Sequence, residues 1–214
     1  MGSERKVSNP LALAVMALLY ERPMHPYEMV SVMRERGKHE SVRLRYSSLY
    51  SVVDALGREG LISPRETVRE GRRPERTIYG LTEAGRVEFL SWLRELLREP
   101  VKEYTQFAAG LTFLPAIPPA EALTLLEERV LRLEGEVEAM RARLDAVMDQ
   151  GLARLFLVET EHELVLREAE LAWVRKLARK IRNGTLGGMA EWESLHSDRD
   201  ATDVDKIRKK EARA

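Results

Sequence analysis

The apolar positions of this chain keep no single period, and each change of period predicts a change of element. From Leu11 to Tyr20 ("LALAVMALLY") nearly every position is apolar, which predicts a helix buried on all sides. Asn9 and Pro10 suit its start, because Asn caps free amides and Pro brings a ready-set φ to the first turn. Pro23 and Pro26 interrupt the run. A second helix is predicted from Pro26 through Tyr27, Val30 and Met33 to about Arg36, with Gly37 as its stop. In "YSSLYSVVDALGREG" the residues Leu49, Val52, Val53 and Leu56 recur at helical spacing, leaving Ser47, Tyr50, Ser51, Asp54 and Arg58 on the opposite face.

After Gly60 the spacing shortens to two. "LISPRETVR" and "RTIYGL" read as two short strands, with Ile62, Glu66 and Val68 on one side of the first and Thr77, Tyr79 and Leu81 on one side of the second. Gly71 and Pro74 supply the turn between them, and Pro64 marks the first as an edge strand. Thr82 is placed to cap a further helix that runs through Phe89, Trp92, Leu93 and Leu96 before Pro100.

The three prolines of "FLPAIPPAE" predict a loop. Beyond it, Leu123, Leu126, Val130, Leu133, Val137, Met140, Leu144 and Val147 alternate spacings of three and four, the seam of a coiled coil. Gly151 ends that helix. Another follows from about Leu155 to Ile181, repeating Leu155, Val158, His162, Val165, Ala169, Trp173 and Leu177. Two long helices joined by a short turn make an antiparallel hairpin with more apolar face than one partner covers. The expected organisation is mainly α with a small β-hairpin: an N-terminal domain over residues 1–100, a helical coiled-coil hairpin over 101–183, and a charged, mobile tail over 184–214.

Composition narrows the chemistry. Basic and acidic side chains balance at 35 each, so net charge names no partner. Residues 1–98 lean basic, as a nucleic-acid module would, and 99–183 lean acidic, but differences this small are common on ordinary solvated surfaces. With no cysteine, disulfides, thiolate metal sites and cysteine nucleophiles are excluded, which fits the cytoplasm. The longest apolar run is about half a bilayer span.

Three helices, a hairpin and another helix, in that order, describe a winged helix-turn-helix. The exposed start of its third helix fits a DNA major groove, where Tyr46, Ser47, Ser48 and Tyr50 would meet phosphates or base edges. The hairpin tip would carry Arg72 and Arg73 into a minor groove, with Arg43, Arg45 and Arg76 adding contacts to the backbone. Two arginines in a turn are by themselves ordinary solvated residues, and Tyr50 by itself is equally a packing residue; the order of elements is what favours DNA. Asp54 on the same face opposes phosphate unless it accepts from a cytosine.

"PLALAVMALLYERPMHPYEM", "SSLYSVVDALGREGLI" and "GRRPERTIYGLTEAGRVEFLSWL" together resemble the N-terminal domain of PadR-type transcriptional regulators. The most specific pieces are "SLY" followed by "LGREGLI", and the set Arg76, Tyr79, Leu81, Thr82 and Gly85. The following hairpin is similar to that family's dimerisation region in architecture. The resemblance implies a homodimeric DNA-binding repressor, released by a small aromatic or drug-like effector. It also brings in Trp92 as a residue on which a flat ligand would stack. Leu126, Val130, Leu133, Val137, Met140, Trp173 and Leu177 are the expected dimer interface. The alternative is an adaptor that binds partner helices through the hairpin and keeps the winged domain as a scaffold. No enzyme is expected, since no nucleophile motif surrounds any serine or acid. His25, His39, His162 and His196 are too scattered for a metal site, "GTLGG" does not open a helix as a phosphate loop would, and no cofactor is implied.

Overall fold

In the computed structural model, the described residues are 9–37, 46–68 and 76–197. They divide into two compact units, within residues 1–102 and 103–214.

In the first unit, α1 (Pro10–Glu21), α2 (Pro26–Glu35), α3 (Tyr46–Arg58), β1 (Ile62–Val68), β2 (Arg76–Leu81) and α4 (Glu83–Arg98) follow in the predicted order. Asn9 caps α1, its side-chain oxygen accepting from the Leu11 amide at 2.8 Å. α1 packs against α3, α4 and β2, burying Leu11, Val15, Met16, Leu18 and Leu19, as its continuous apolar run requires. Its end is tied to α2 by Glu21, which accepts from both terminal nitrogens of Arg36 at 2.6 and 2.8 Å. That guanidinium holds the Glu21 carboxyl below its ordinary pKa.

The two strands pair antiparallel, and Met24 extends the ladder on the far side of β2 by exchanging two backbone hydrogen bonds with Tyr79, at 3.0 and 3.1 Å. β1 is therefore the outer strand, as Pro64 requires. The predicted faces of β1 need correction. Ile62 lies opposite Leu81 and Pro64 opposite Tyr79, but Glu66 lies opposite Ile78, because Arg65 is an extra residue in the strand. Glu66 therefore shares a face with Ser63 and Gly80 and not with Ile62. Strict alternation fails at this bulge, where the Arg65 guanidinium donates to the Leu81 carbonyl at 3.0 Å.

In the second unit, α5 (Gln106–Thr112) and a 3-10 turn at Leu114–Ala116 precede α6 (Pro119–Asp149). The predicted proline loop is shorter than expected, because Pro119 begins α6 at the first-turn position where proline costs nothing. After a 3-10 turn at Arg154–Phe156, α7 (Val158–Arg182) runs back along α6 as an antiparallel hairpin. Ion pairs Arg129–Glu170, Arg141–Glu168, Arg175–Glu134 and Arg182–Glu127 bridge the two helices.

The expectation of a mobile tail from residue 184 is overturned for its first part. Gly184, at φ +64°, closes a Schellman motif: its amide bonds the Ile181 carbonyl at 3.0 Å and the Thr185 amide the Lys180 carbonyl at 2.9 Å. The chain then turns back, and residues 189–197 are helical. Trp192, 7 % exposed, enters the core of this unit, and its indole N–H donates to the Ile117 carbonyl at 2.9 Å. Residues 198–214 lie outside the described residues.

Candidate nucleic-acid interface

Leu49, Val52, Val53 and Leu56 of α3 are buried against the core of the first unit, which fixes the rotation of the helix. Ser47, Tyr50, Ser51, Asp54 and Arg58 face outward, as the spacing predicts, and Ser48 is half-buried at the edge of that face. Tyr50 keeps 46 % of its surface exposed, so packing does not use up its ring. The Ser51 hydroxyl donates to the Ser47 carbonyl at 3.0 Å, which occupies its proton and leaves its oxygen free to accept. Among the outward groups, Ser47 and Tyr50 are thus the best-placed donors near the start of the helix.

The hairpin is held beside this helix from two directions. Met24 pairs with its second strand, as above. Thr82 ties the end of that strand to the end of α3: its amide donates to the Leu61 carbonyl at 3.0 Å, and its hydroxyl proton is shared between the carbonyls of Gly60 and Leu61 at 2.8 and 3.0 Å. The same oxygen accepts from the Gly85 amide at 3.0 Å and caps α4. Between the outward face of α3 and the strands lies an open concavity of about 940 Å³, whose lining includes Ser51, Asp54, Arg58 and Ser63. It suits a rigid polyanion only in part, since Asp54 repels phosphate and accepts well only from an amino group on a base edge.

Arg43, Arg45, Arg72 and Arg73, with the turn residues Gly71 and Pro74, lie outside the described residues, as do the side chains of Tyr46 and Arg76; the backbones of these last two begin α3 and β2. Trp92 is enclosed in the core of the first unit at 5 % exposure, so a ligand would reach its ring only by displacing that packing. His25, which the sequence left without a role, caps α2: its Nδ1 accepts from the Tyr27 amide at 3.0 Å. The signal was its place directly before Pro26.

The residues expected between subunits divide into two groups. Leu126, Leu133, Val137 and Met140 are buried within the chain, and Val130 and Leu177 pack against the same cluster. The α6 seam is spent on α7, which meets it with Leu171, Val174, Ala178 and Ile181. The repeat read along α7 is a different stripe. Leu155, Val158, Val165 and Trp173 are exposed large apolar residues, with His162 and Ala169 exposed between them.

A helix-turn-helix with a β-hairpin packed beside its third helix defines the winged-helix class. Within it, residues 15–91 match the model of the transcriptional regulator PadR-like family, so the first unit carries a PadR-like domain. The negative transcriptional regulator PadR of Bacillus subtilis (strain 168) is 25 % identical over 163 residues, covering 74 % of this chain and 87 % of that protein. A crystal structure of Bacillus subtilis PadR in complex with operator DNA superposes with a TM-score of 0.64 at 20 % identity, covering 80 % of this chain and 98 % of that one. The same protein in complex with p-coumaric acid gives 0.62 at 20 % identity with the same coverage. No helix among the described residues is long and apolar enough to cross a membrane, and they contain no cluster of ligating side chains suited to a metal.

Proposed function

We propose that this protein is a homodimeric transcriptional repressor of the cytoplasm, which grips double-stranded DNA through α3 and the hairpin and is released by a small aromatic or drug-like effector. The observation that carries the reading is the outward polar face of α3, with Ser47 and Tyr50 exposed on a helix whose rotation is fixed by four buried residues. The arginines at 43, 45, 72, 73 and 76 stand in sequence where a duplex held on that face would need phosphate or minor-groove contacts. The similar Bacillus subtilis PadR, crystallised in complex with operator DNA and with p-coumaric acid, supports the same assignment. An effector would act by preferring a dimer whose reading helices no longer match the half-site spacing.

A gel-shift titration against DNA flanking the gene tests this. Retention should survive an excess of random competitor at moderate salt. In the doubly charge-reversed variant Arg72→Glu, Arg73→Glu, affinity should fall at least tenfold, and the slope of log affinity against log salt should flatten by about 0.9 for each phosphate no longer neutralised. Equal affinity for operator and competitor would remove specific regulation and leave the adaptor.

The second copy would cover the exposed α7 stripe. Val158 and Val165 are 54 % and 60 % exposed, so glutamate at both positions leaves the chain's own core alone while placing two charges where the partner would bury them. The double variant Val158→Glu, Val165→Glu should sediment as a monomer, its association weakened about a hundredfold or more. A variant that stays dimeric would move the interface elsewhere.

A further inference from the structure

Within the second unit a groove of about 570 Å³ opens between α5, the 3-10 turn and the first half of α6, a size that suits a small ligand. Its bed is aliphatic: Leu111, Leu114, Ile117, Leu125, Leu126 and Leu133. Its one aromatic ring, Phe107, already has the Arg129 guanidinium 3.7 Å from its centroid and meets Trp173 edge-on at 6.2 Å. Aliphatic carbon is therefore most of what an occupant would touch.

Three arginines and two glutamates, Glu128 and Glu136, line the groove, and the arginines are not equivalent. Arg129 donates to Glu170, and Arg167 lies between Glu136 and Glu170 at 3.7 and 3.5 Å. Arg132 reaches Glu128 alone among the described residues, at 3.4 Å, with 77 % of its side chain exposed. A guanidinium held this loosely gains most from a carboxylate that meets both its donors. The far wall is fixed by the C-terminal segment: the Trp192 indole bonds the Ile117 carbonyl, and His196 Nε2 lies 3.0 Å from the Pro115 carbonyl.

We propose that this groove binds a medium-chain fatty acid, with the alkyl chain along the leucines and the carboxylate on Arg132. Each methylene withdrawn from water adds to affinity, and the guanidinium selects the acid over the alcohol. The site itself is independent of DNA binding; its use as a second effector site, beside one for an aromatic effector, rests on the regulator proposed above.

Calorimetric titration of the full chain without DNA, using decanoate below its micelle concentration, tests the site. Saturable binding of one molecule per chain is expected, with decanoate about fifteenfold tighter than octanoate, near fourfold per methylene. Arg132→Gln should weaken decanoate about tenfold or more and leave decanol unchanged. Gly110→Leu should abolish both while the protein melts at no lower temperature, because Gly110 lines the groove and a Cβ there meets no atom within 4 Å. An absence of saturable heat, retained binding in Gly110→Leu, or indifference to Arg132→Gln would each overturn the proposal. So would a Gly110→Leu chain that turns monomeric while the parent binds no decanoate, since the occupant is then a second copy. Decanoate binding by a chain that fails the gel shift would support the site and remove only its regulatory use.

Discussion

Replacing Gly85 by alanine is expected to lower the melting temperature of the first unit by about 10 °C or more, at roughly 4–8 °C per kcal/mol for a domain of this size. A Cβ built at Gly85 would lie 1.9 Å from the Leu61 carbonyl oxygen and 2.9 Å from its carbon. The obstacle is backbone, so no rotamer change relieves it. Either α4 withdraws from the corner between α3 and β1, or that corner moves. Both routes break the same junction, where Thr82 bonds the Gly60 and Leu61 carbonyls and caps α4 through the Gly85 amide. Overpacking costs about 1–3 kcal/mol and loss of the cap about 1 kcal/mol, a large share of the roughly 5–15 kcal/mol that holds a typical domain together. Because the junction also seats the hairpin beside α3, DNA affinity should fall with it. Gly57→Ala is the control: it sits in α3 with nothing within 4 Å of its Cβ, and alanine there should stabilise by about 0.5–1 kcal/mol. Calorimetric melting of the two variants decides the matter, and a Gly85→Ala protein that melts with the parent would refute the close approach.

That junction shows what the residues disclose and what they withhold. The helices of the first unit were legible because α1 is one continuous apolar run, α3 repeats its apolar residues at helical spacing, and helix ends have specific chemistry: Asn9 with Pro10, Thr82 with Glu83. The outward face of α3 followed from the same periodicity. The β1 face did not, because one inserted residue, Arg65, reverses the alternation, and its anchor on the Leu81 carbonyl lies sixteen positions away. The long helices were legible in extent but not in partnership. A heptad seam states that a face will be buried and not by which chain, and here the α6 seam is consumed by α7. Apart from Leu177, which packs on the inner cluster, the α7 repeat read from sequence is the stripe left outside, while the inner stripe of Leu171, Val174, Ala178 and Ile181 runs beside it. The reading of DNA contacts rests on residue type and order, because four of its arginines fall outside the described residues.

The tail was misread because composition averages away a single anchor. From residue 184 onward the chain is mostly small and charged, yet Met189, Trp192 and His196 recur at helical spacing, and one indole is enough to dock a short helix. Trp192→Ala should therefore destabilise the second unit by about 3–5 kcal/mol, the range for deleting a large buried aromatic, and lower its melting temperature by about 10 °C or more. Packing is only part of the loss, since the Ile117 carbonyl would also be deprived of the donor now 2.9 Å away. Trp192→Phe separates the two contributions: it keeps most of the apolar contact, removes the N–H, and should cost about 1–3 kcal/mol. A chain stopped after Gly188 should behave like the alanine variant, because without the indole the remaining helix has few apolar residues to hold it. Thermal unfolding of the three proteins, with decanoate binding measured on each, gives the ordering. If the alanine variant and the truncated chain melt with the parent, residues 189–197 do not dock, and the far wall of the groove must be held by α5 and α6 alone.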